Sequence, residues 1–246
     1  MITFILLSHQ NINALKEKIS KFSSCTETSV RLLVVESESK DFVLNGLGLI
    51  RDSRIKIIFD ENSGIYSAMN KGISHINTEY YTVLGLDDTF DYSKVSGICR
   101  CLQENKFDLL FLGVRKGLVD QIFFNRNNLT YGPQGVFPSH TAGTVIRTSL
   151  HNKYGMYHGD FKIVADGLFL STCLKDGVSA GLYPFICAIV GDQGYSKRLE
   201  LYAEWESHKV RRSIGASFFL SFFLYLFRVS RRLVKRLITK YLRVNN

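Results

Sequence analysis

Residues 55–88 read IKIIFDENSGIYSAMNKGISHINTEYYTVLGLDD. Two apolar runs of strand length, IKIIF at Ile55–Phe59 and the first residues of YYTVLGLDD at Tyr80–Asp88, enclose a short loop and a helical stretch. Ser63 opens the predicted helix, and Gly72 or a residue soon after closes it. The second strand ends in two adjacent acids, Asp87 and Asp88.

Working outward, the same alternation continues toward the N-terminus. Thr3–Leu7 is a short apolar run. Asn11–Phe22 carries apolar residues at 12, 15, 19 and 22, the spacing of an amphipathic helix. Val30–Ser39 opens on a continuous β-rich run, as expected of a parallel strand covered on both faces. A helix around Asp41–Ile50 is weakened by Gly46 and Gly48. Strand and helix thus alternate through the first 90 residues, which predicts a doubly wound α/β sheet. Ligands of such sheets bind outside the carboxyl ends of the strands, where Glu36 and the Asp87–Asp88 pair fall. Downstream the pattern predicts a helix at Tyr92–Asn105, a strand at Phe107–Val114, a strand and short helix in TAGTVIRTSLHNKYGMY, a helix from near Ala165 to Gly177, and a last strand in AGLYPFICAIV. Residues 115–140 show weak periodicity.

The chain has 246 residues, 46% of them hydrophobic, enough for one large domain or two small ones. Its net charge of +9 does not mark a nucleic-acid binder. Ten Lys/Arg and no Asp/Glu lie in Lys209–Asn246, and taking those ten from the chain's 31 leaves 21 basic against 22 acidic residues. A near-neutral body with a basic tail lacks the basic face on the fold that nucleic acid requires. The five cysteines, at 25, 99, 101, 173 and 187, show no zinc spacing and read as reduced thiols of a cytoplasmic protein. The N-terminus, MITFILLSHQ, lacks a basic stretch before its short apolar run and reads as a buried strand, not a signal peptide.

Each acid in this frame has two readings. Adjacent carboxylates repel unless a cation or a cluster of donors neutralises them. Asp87 and Asp88 therefore suit Mg²⁺ or Mn²⁺ carrying a diphosphate, or they are turn chemistry that caps the next helix. Glu36 either accepts hydrogen bonds from a ribose or base, or is a solvated loop acid. Asp166, between Ala165 and Gly167, is a helix cap or faces a substrate hydroxyl. His140, in FPSHTAG, is catalytic or a structural loop histidine.

In this order the residues resemble a family 2 glycosyltransferase of the GT-A fold, of the bacterial polysaccharide type. The segments that carry the likeness are VVESESKD, SGIYSAMNKGI, VLGLDD, the run from PSHTAG to ADGLFL, and GDQGYSKR, spread over residues 1–198. The resemblance implies a Rossmann-like, mostly parallel sheet with flanking helices. It divides the chain into a GT-A domain at 1–206, with a nucleotide-sugar half at 1–90 and an acceptor half at 91–206, and a tail at 207–246. It further implies that Asp88 contacts the divalent metal, that Asp87 lies by the ribose and metal, and that Asp166 is the general base. Glu36 stands where the family has a nucleotide-recognising aspartate, Asn62 where an acid is common, and His140 at the entry to the acceptor half. Tyr66 and Met69 are expected in the core, and Asn70 and Lys71 toward the cleft and the sugar donor.

The expected reaction is a single inverting displacement that moves a sugar from a nucleotide-diphosphate donor to a glycan or lipid-linked acceptor in cell-surface polysaccharide synthesis. The rival is a non-catalytic nucleotide-sugar-binding or scaffold member of the same fold, which Glu36 and Asn62 motivate as departures from the family pattern. A dehydrogenase is disfavoured because no G-x-G-x-x-G follows the first strand.

The tail reads RRSIGASFFLSFFLYLFRVSRRLVKRLITKYLRV over Arg211–Val244. Its apolar core, Ile214–Phe227, is short of the roughly 20 residues of a crossing. Leu233, Leu237, Ile238 and Tyr241 follow at helical spacing among basic residues. That pattern predicts peripheral attachment to the anionic cytoplasmic face of an inner membrane. The alternatives are a helix packed on the protein's own core, a re-entrant hairpin or a tilted crossing.

Overall fold

The computed structural model describes residues 1–48, 50–60, 64–122, 140–191 and 199–244. The first seven elements alternate as the sequence predicts: β1 (Ile2–Ser8), α1 (Ile12–Ser23), β2 (Val30–Glu36), α2 (Lys40–Leu47), β3 (Ile55–Phe59), α3 (Ile65–Ser74) and β4 (Tyr80–Gly85). Then come β5 (Thr89–Phe90), α4 (Val95–Asn105), β6 (Leu109–Lys116), β7 (Val119–Gln121), β8 (Thr144–Arg147), α5 (Leu150–Tyr154), α6 (Ala165–Lys175), β9 (Ala180–Val190), α7 (Glu200–Ser213) and α8 (Phe218–Val244).

Among the described residues nine strands form one sheet in the order β3-β2-β1-β4-β8-β6-β9-β5, with β7 hydrogen-bonded to β6. The first four are parallel. β8 enters antiparallel between β4 and β6, while β9 lies parallel to β6 and antiparallel to the two-residue β5. Side chains alternate across β1, so Phe4 and Leu6 join Phe22 and Leu84 on one face while Ile5 joins Leu33, Met69 and Phe111 on the other. Burial on both faces is why β1 and β2 read as unbroken apolar runs. α1 starts where the Asn11 side chain accepts the N–H of Ala14 at 3.0 Å.

α3 runs two residues past Gly72. That glycine serves packing: a Cβ there would lie 2.8 Å from a methyl of Ile5 and 3.2 Å from one of Val35, so the helix can press onto β1 and β2 only without one.

The expected division at residue 206 falls inside α7, which runs unbroken to Ser213. The chain turns at Gly215 instead, at a φ of +107° that favours glycine, and α8 packs back on α7 as a hairpin. Arg211 is fully buried at this turn and donates from Nε to Ser221 Oγ at 3.3 Å. Burial first, then the repelling charge of Arg228, lowers its pKa to about 10. Arg232 grips Glu204 at 2.9 and 2.6 Å and Glu200 at 3.0 Å, tying α8 to α7 along their length. Among the described residues no helix is long and apolar enough to cross a membrane.

Candidate functional site

The parallel strands end level with one another: Ser8 of β1 pairs Glu36 of β2, Glu36 pairs Phe59 of β3, and Leu7 pairs Gly85 of β4. Their carboxyl ends form the edge on which the candidate residues gather.

The Asp87–Asp88 turn resolves its own repulsion by treating the two acids differently. Asp88 is 1% exposed. Its Oδ2 accepts the N–H of Gly85 at 2.7 Å and its Oδ1 that of Gly191, at the end of β9, at 3.2 Å. Lys18 of α1 donates to the main-chain carbonyl of Asp88 and, at 3.3 Å, to Thr89 Oγ1. Burial first, then Lys21, lowers the Lys18 pKa, while Glu17, Asp88 and Asp87 oppose that shift. Asp87 instead is exposed. Its carboxylate covers Gly191, where a Cβ would come within 2.3 Å of Oδ2. Asp88 thus anchors its own turn while Asp91 caps the next helical turn through the N–H of Ser93, and Asp87 presents the open carboxylate.

His140 closes one side. It caps the 3₁₀ turn Thr141–Gly143, and its Nδ1 lies 3.5 Å from Asp88 Oδ2. The charge of His140 also acts on Asp166, 26 positions further along the chain.

Asp166 occupies the first turn of α6, half-buried. Tyr66 donates its hydroxyl to Asp166 Oδ1 at 2.7 Å. Burial raises the Asp166 pKa, against the lowering effects of the Tyr66 hydroxyl, the Gly167 N–H and His140. Tyr66 titrates well above the ordinary tyrosine value, because burial and then the neighbouring Asp166 charge disfavour a phenolate. It remains a donor at neutral pH. Beneath it, Tyr81 lies between His151 Nε2 at 2.7 Å and the Tyr157 hydroxyl at 2.8 Å, with His151 Nδ1 on the Gly155 carbonyl at 2.8 Å. The Gly155 carbonyl makes Nδ1 the protonated nitrogen, so Nε2 accepts from Tyr81. Burial holds the His151 pKa down, which favours that neutral ring.

The approach to α6 is held from outside. Its N-cap residue, Val164, supplies no side-chain cap. The buried carboxylate of Glu206, on α7, accepts the N–H groups of Lys162 at 2.7 Å, Ile163 at 2.8 Å and Val164 at 3.2 Å.

Other expected residues lie elsewhere. Asn70 does not face the cleft; its amide exchanges two hydrogen bonds with the backbone of Tyr157, at 2.8 and 2.9 Å. Lys71 donates to the Phe59 carbonyl at 2.6 Å and meets Asp60 at 3.0 Å, fixing the end of β3. Glu36 is 2% exposed and turned into its own loop, accepting the Glu38 N–H at 3.0 Å. Met69 is in the core as expected, and so is Tyr66, whose hydroxyl adds a role the sequence did not suggest. Asn62 and the DQGYSKR part of GDQGYSKR lie outside the described residues.

Among the described residues no three His, Cys, Asp or Glu side chains gather closely enough to hold a metal ion by themselves. Exposed Asp87 beside anchored Asp88 fits the other kind of site, in which one or two carboxylates hold an ion whose remaining ligands are diphosphate and water.

A family model described as glycosyl transferase family 2 matches residues 4–169. An uncharacterized glycosyltransferase of Rickettsia conorii is 27% identical over 166 residues, covering 65% of this chain and 26% of that protein. Another, of Rickettsia typhi, is 24% identical over 181 residues, covering 68% of this chain and 56% of that protein. The chain therefore spans about a quarter to just over half the length of these relatives. Among solved structures, residues 1–349 of S. aureus TarS in complex with UDP-GlcNAc superpose with a TM-score of 0.68 at 14% identity, covering 91% of this chain and 70% of that one. A mannosyltransferase from Pyrobaculum calidifontis, in complex with GDP-Man and Mn²⁺, gives 0.64 at 14% identity, covering 88% and 64%. These likenesses identify the architecture as GT-A.

Proposed function

Because this chain belongs to glycosyl transferase family 2, we propose that it moves a sugar from a nucleotide-diphosphate donor to a glycan or lipid-linked acceptor, with inversion at the anomeric carbon. The observation that carries this reading is Asp166: a half-buried carboxylate with raised proton affinity, held by the Tyr66 hydroxyl at the start of α6. Such a group suits a general base.

The acceptor hydroxyl oxygen bonds to the anomeric carbon as the bond from that carbon to the diphosphate oxygen breaks. Asp166 takes the hydroxyl proton, and the nucleoside diphosphate leaves. One displacement inverts the centre and needs no covalent intermediate on the protein. A divalent cation, Mn²⁺ or Mg²⁺, would be held by Asp87 with Asp88 and would neutralise the departing diphosphate. The Mn²⁺ and GDP-Man bound to the Pyrobaculum mannosyltransferase support that role. The setting that fits is cell-surface polysaccharide synthesis on the cytoplasmic face of an inner membrane, where lipid-linked glycans present the acceptor hydroxyl.

The test is a thermal-shift panel of UDP, GDP, CDP and dTDP sugars with Mn²⁺, followed by assay of diphosphate release from whichever donor raises the melting temperature. One donor class is expected to stabilise the protein and to be slowly hydrolysed. Stabilisation without release from any donor, with acceptor glycans present, would establish the non-catalytic reading. No stabilisation by any donor would remove both.

A further inference from the structure

Exposed apolar side chains concentrate on one helix. Of 21 large hydrophobic residues exposed among those described, 11 belong to α8, and they are arranged. The side of α8 that meets α7 is fixed by Ser221, which is buried against His208, and by Arg228 and Arg232, which pair with Glu204 and Glu200. With 3.6 residues per turn, these three positions fall within roughly 40° of one another. The opposite side carries Phe219, Phe223, Leu226, Phe227, Val234 and Leu237, all exposed, with only Ser230 among them. The stripe is roughly 27 Å long at 1.5 Å per residue. The ion pairs to α7 keep it outward, because rolling the helix inward would break them.

We propose that this stripe is a docking surface for an anionic lipid bilayer, with α8 lying in the plane of the membrane. The charge around it selects that partner. Residues 209–246 hold ten Lys/Arg and no Asp/Glu, and among the described residues Arg228 and Arg232 pair with acids of α7. A second copy of the chain would bring another basic helix against the first, with no acidic residues on either to answer it. The stripe is also broader than the narrow two-position seam of a coiled coil, and bulky phenylalanines fill its first half. Apolar side chains along one side of a basic helix match the boundary between lipid headgroups and acyl chains. The helix is too short of apolar residues to cross, so the surface is where it fits. Pairing of Arg228 and Arg232 within the hairpin shifts the balance of attachment from charge toward the aromatic stripe.

The proposal extends the reading of a lipid-linked acceptor, and it is tested by lipid binding, in which turnover plays no part, so either can fail alone. Full-length protein is floated with vesicles of phosphatidylcholine, with and without phosphatidylglycerol, beside a variant carrying Phe219→Ser, Phe223→Ser and Phe227→Ser. These side chains are exposed, and circular dichroism confirms that the variant folds. Leu237→Ser with Ile238→Ser tests the far end of the stripe independently. Wild type is expected to float with the anionic vesicles, high salt to weaken but not abolish flotation, and the triple variant to lose partitioning by ~100-fold or more. Wild type that stays soluble at low salt, or variants that float equally well, would overturn it. So would light scattering that shows a dimer dissociated by the triple substitution while vesicle binding is unchanged.

Discussion

Replacing Tyr66 with phenylalanine deletes one hydroxyl, the donor that reaches Asp166 Oδ1 at 2.7 Å. The ring volume is kept, and the residue is 6% exposed in a packed cluster with Tyr157 at 5.7 Å, so the core should hold. A hydrogen bond to a charged acceptor contributes roughly 1.5–3 kcal/mol. One pKa unit corresponds to about 1.36 kcal/mol. Losing the bond to the ionised form should therefore lift the Asp166 pKa by about 1–2 units. The direction follows from the charge: the Tyr66 bond favours the carboxylate, and its removal favours the protonated acid. Burial has already raised this group above an ordinary aspartate, and the substitution moves it further. A base must be ionised to accept a proton, so the acid limb of the kcat/KM profile should move up by the same interval, with little change on the plateau beyond it. The assay is nucleoside diphosphate release at saturating Mn²⁺, followed from acid to mildly alkaline pH, with the donor that the thermal-shift panel selects. If the limb stays in place in a folded Tyr66→Phe protein, the Tyr66–Asp166 pair does not set the protonation of the base and the reasoning fails.

Asp166→Asn should lower turnover by roughly 10²–10⁴-fold with donor affinity near wild type; collapse of donor affinity instead would move Asp166 to the nucleotide site. Because the folded state raises the Asp166 pKa, wild type gives up stability as pH rises through and above the ordinary carboxylate range, so the melting temperature of Asp166→Asn should gain on wild type toward neutral pH. Asp87→Asn should leave the melting temperature unchanged and weaken Mn²⁺ binding in the presence of nucleoside diphosphate, as read by calorimetry. Asp88→Asn should also destabilise the fold by about 1–3 kcal/mol, since its amide turns a donor toward the N–H of Gly85 or Gly191; an unchanged melting temperature would count against the anchored turn. Glu206→Ala strands three backbone N–H groups and should cost about 3 kcal/mol or more, with Glu206→Gln recovering part of the loss in chemical denaturation.

The N-terminal half of the sheet was legible because its physics is local. A strand buried on both faces must be apolar throughout, and β1 and β2 are. The two-residue β5 carries no such signal, since its pairing partner is β9, about 100 positions later. The same distance hid the site's finer assignments. Two adjacent aspartates look alike in sequence, and the N–H of Gly191, 103 positions on, helps decide which is buried. Tyr66 reads as core from its spacing on α3, and nothing near it announces that its hydroxyl meets an acid 100 positions away. Asn70 and Lys71 looked free because they are polar, but the backbones of Tyr157 and Phe59 use them. Lys18 lies on an ordinary amphipathic helix, and only the assembled fold brings it to the Asp88 turn.

The least legible link is the one between the tail and the base. The candidate base is carried at the start of a helix with no cap of its own, so the position of Asp166 depends on whatever satisfies the N–H groups just before it. Glu206 does so from α7. Two residues earlier on the same helix Glu204 receives Arg232, and a turn before that Glu200 receives it as well. Charge-assisted hydrogen bonds thus join α8 to α7, and others join α7 to the approach of α6. A tail that only tethered the protein would need no such bonds, since a flexible linker holds a domain near a surface equally well. Rigid connection has a different consequence: it fixes the direction from the apolar stripe to Asp166. If the stripe lies on a bilayer, the cleft meets an acceptor anchored in that bilayer from a constant angle. The orienting part of the reaction's entropy is then supplied by the fold before the acceptor arrives.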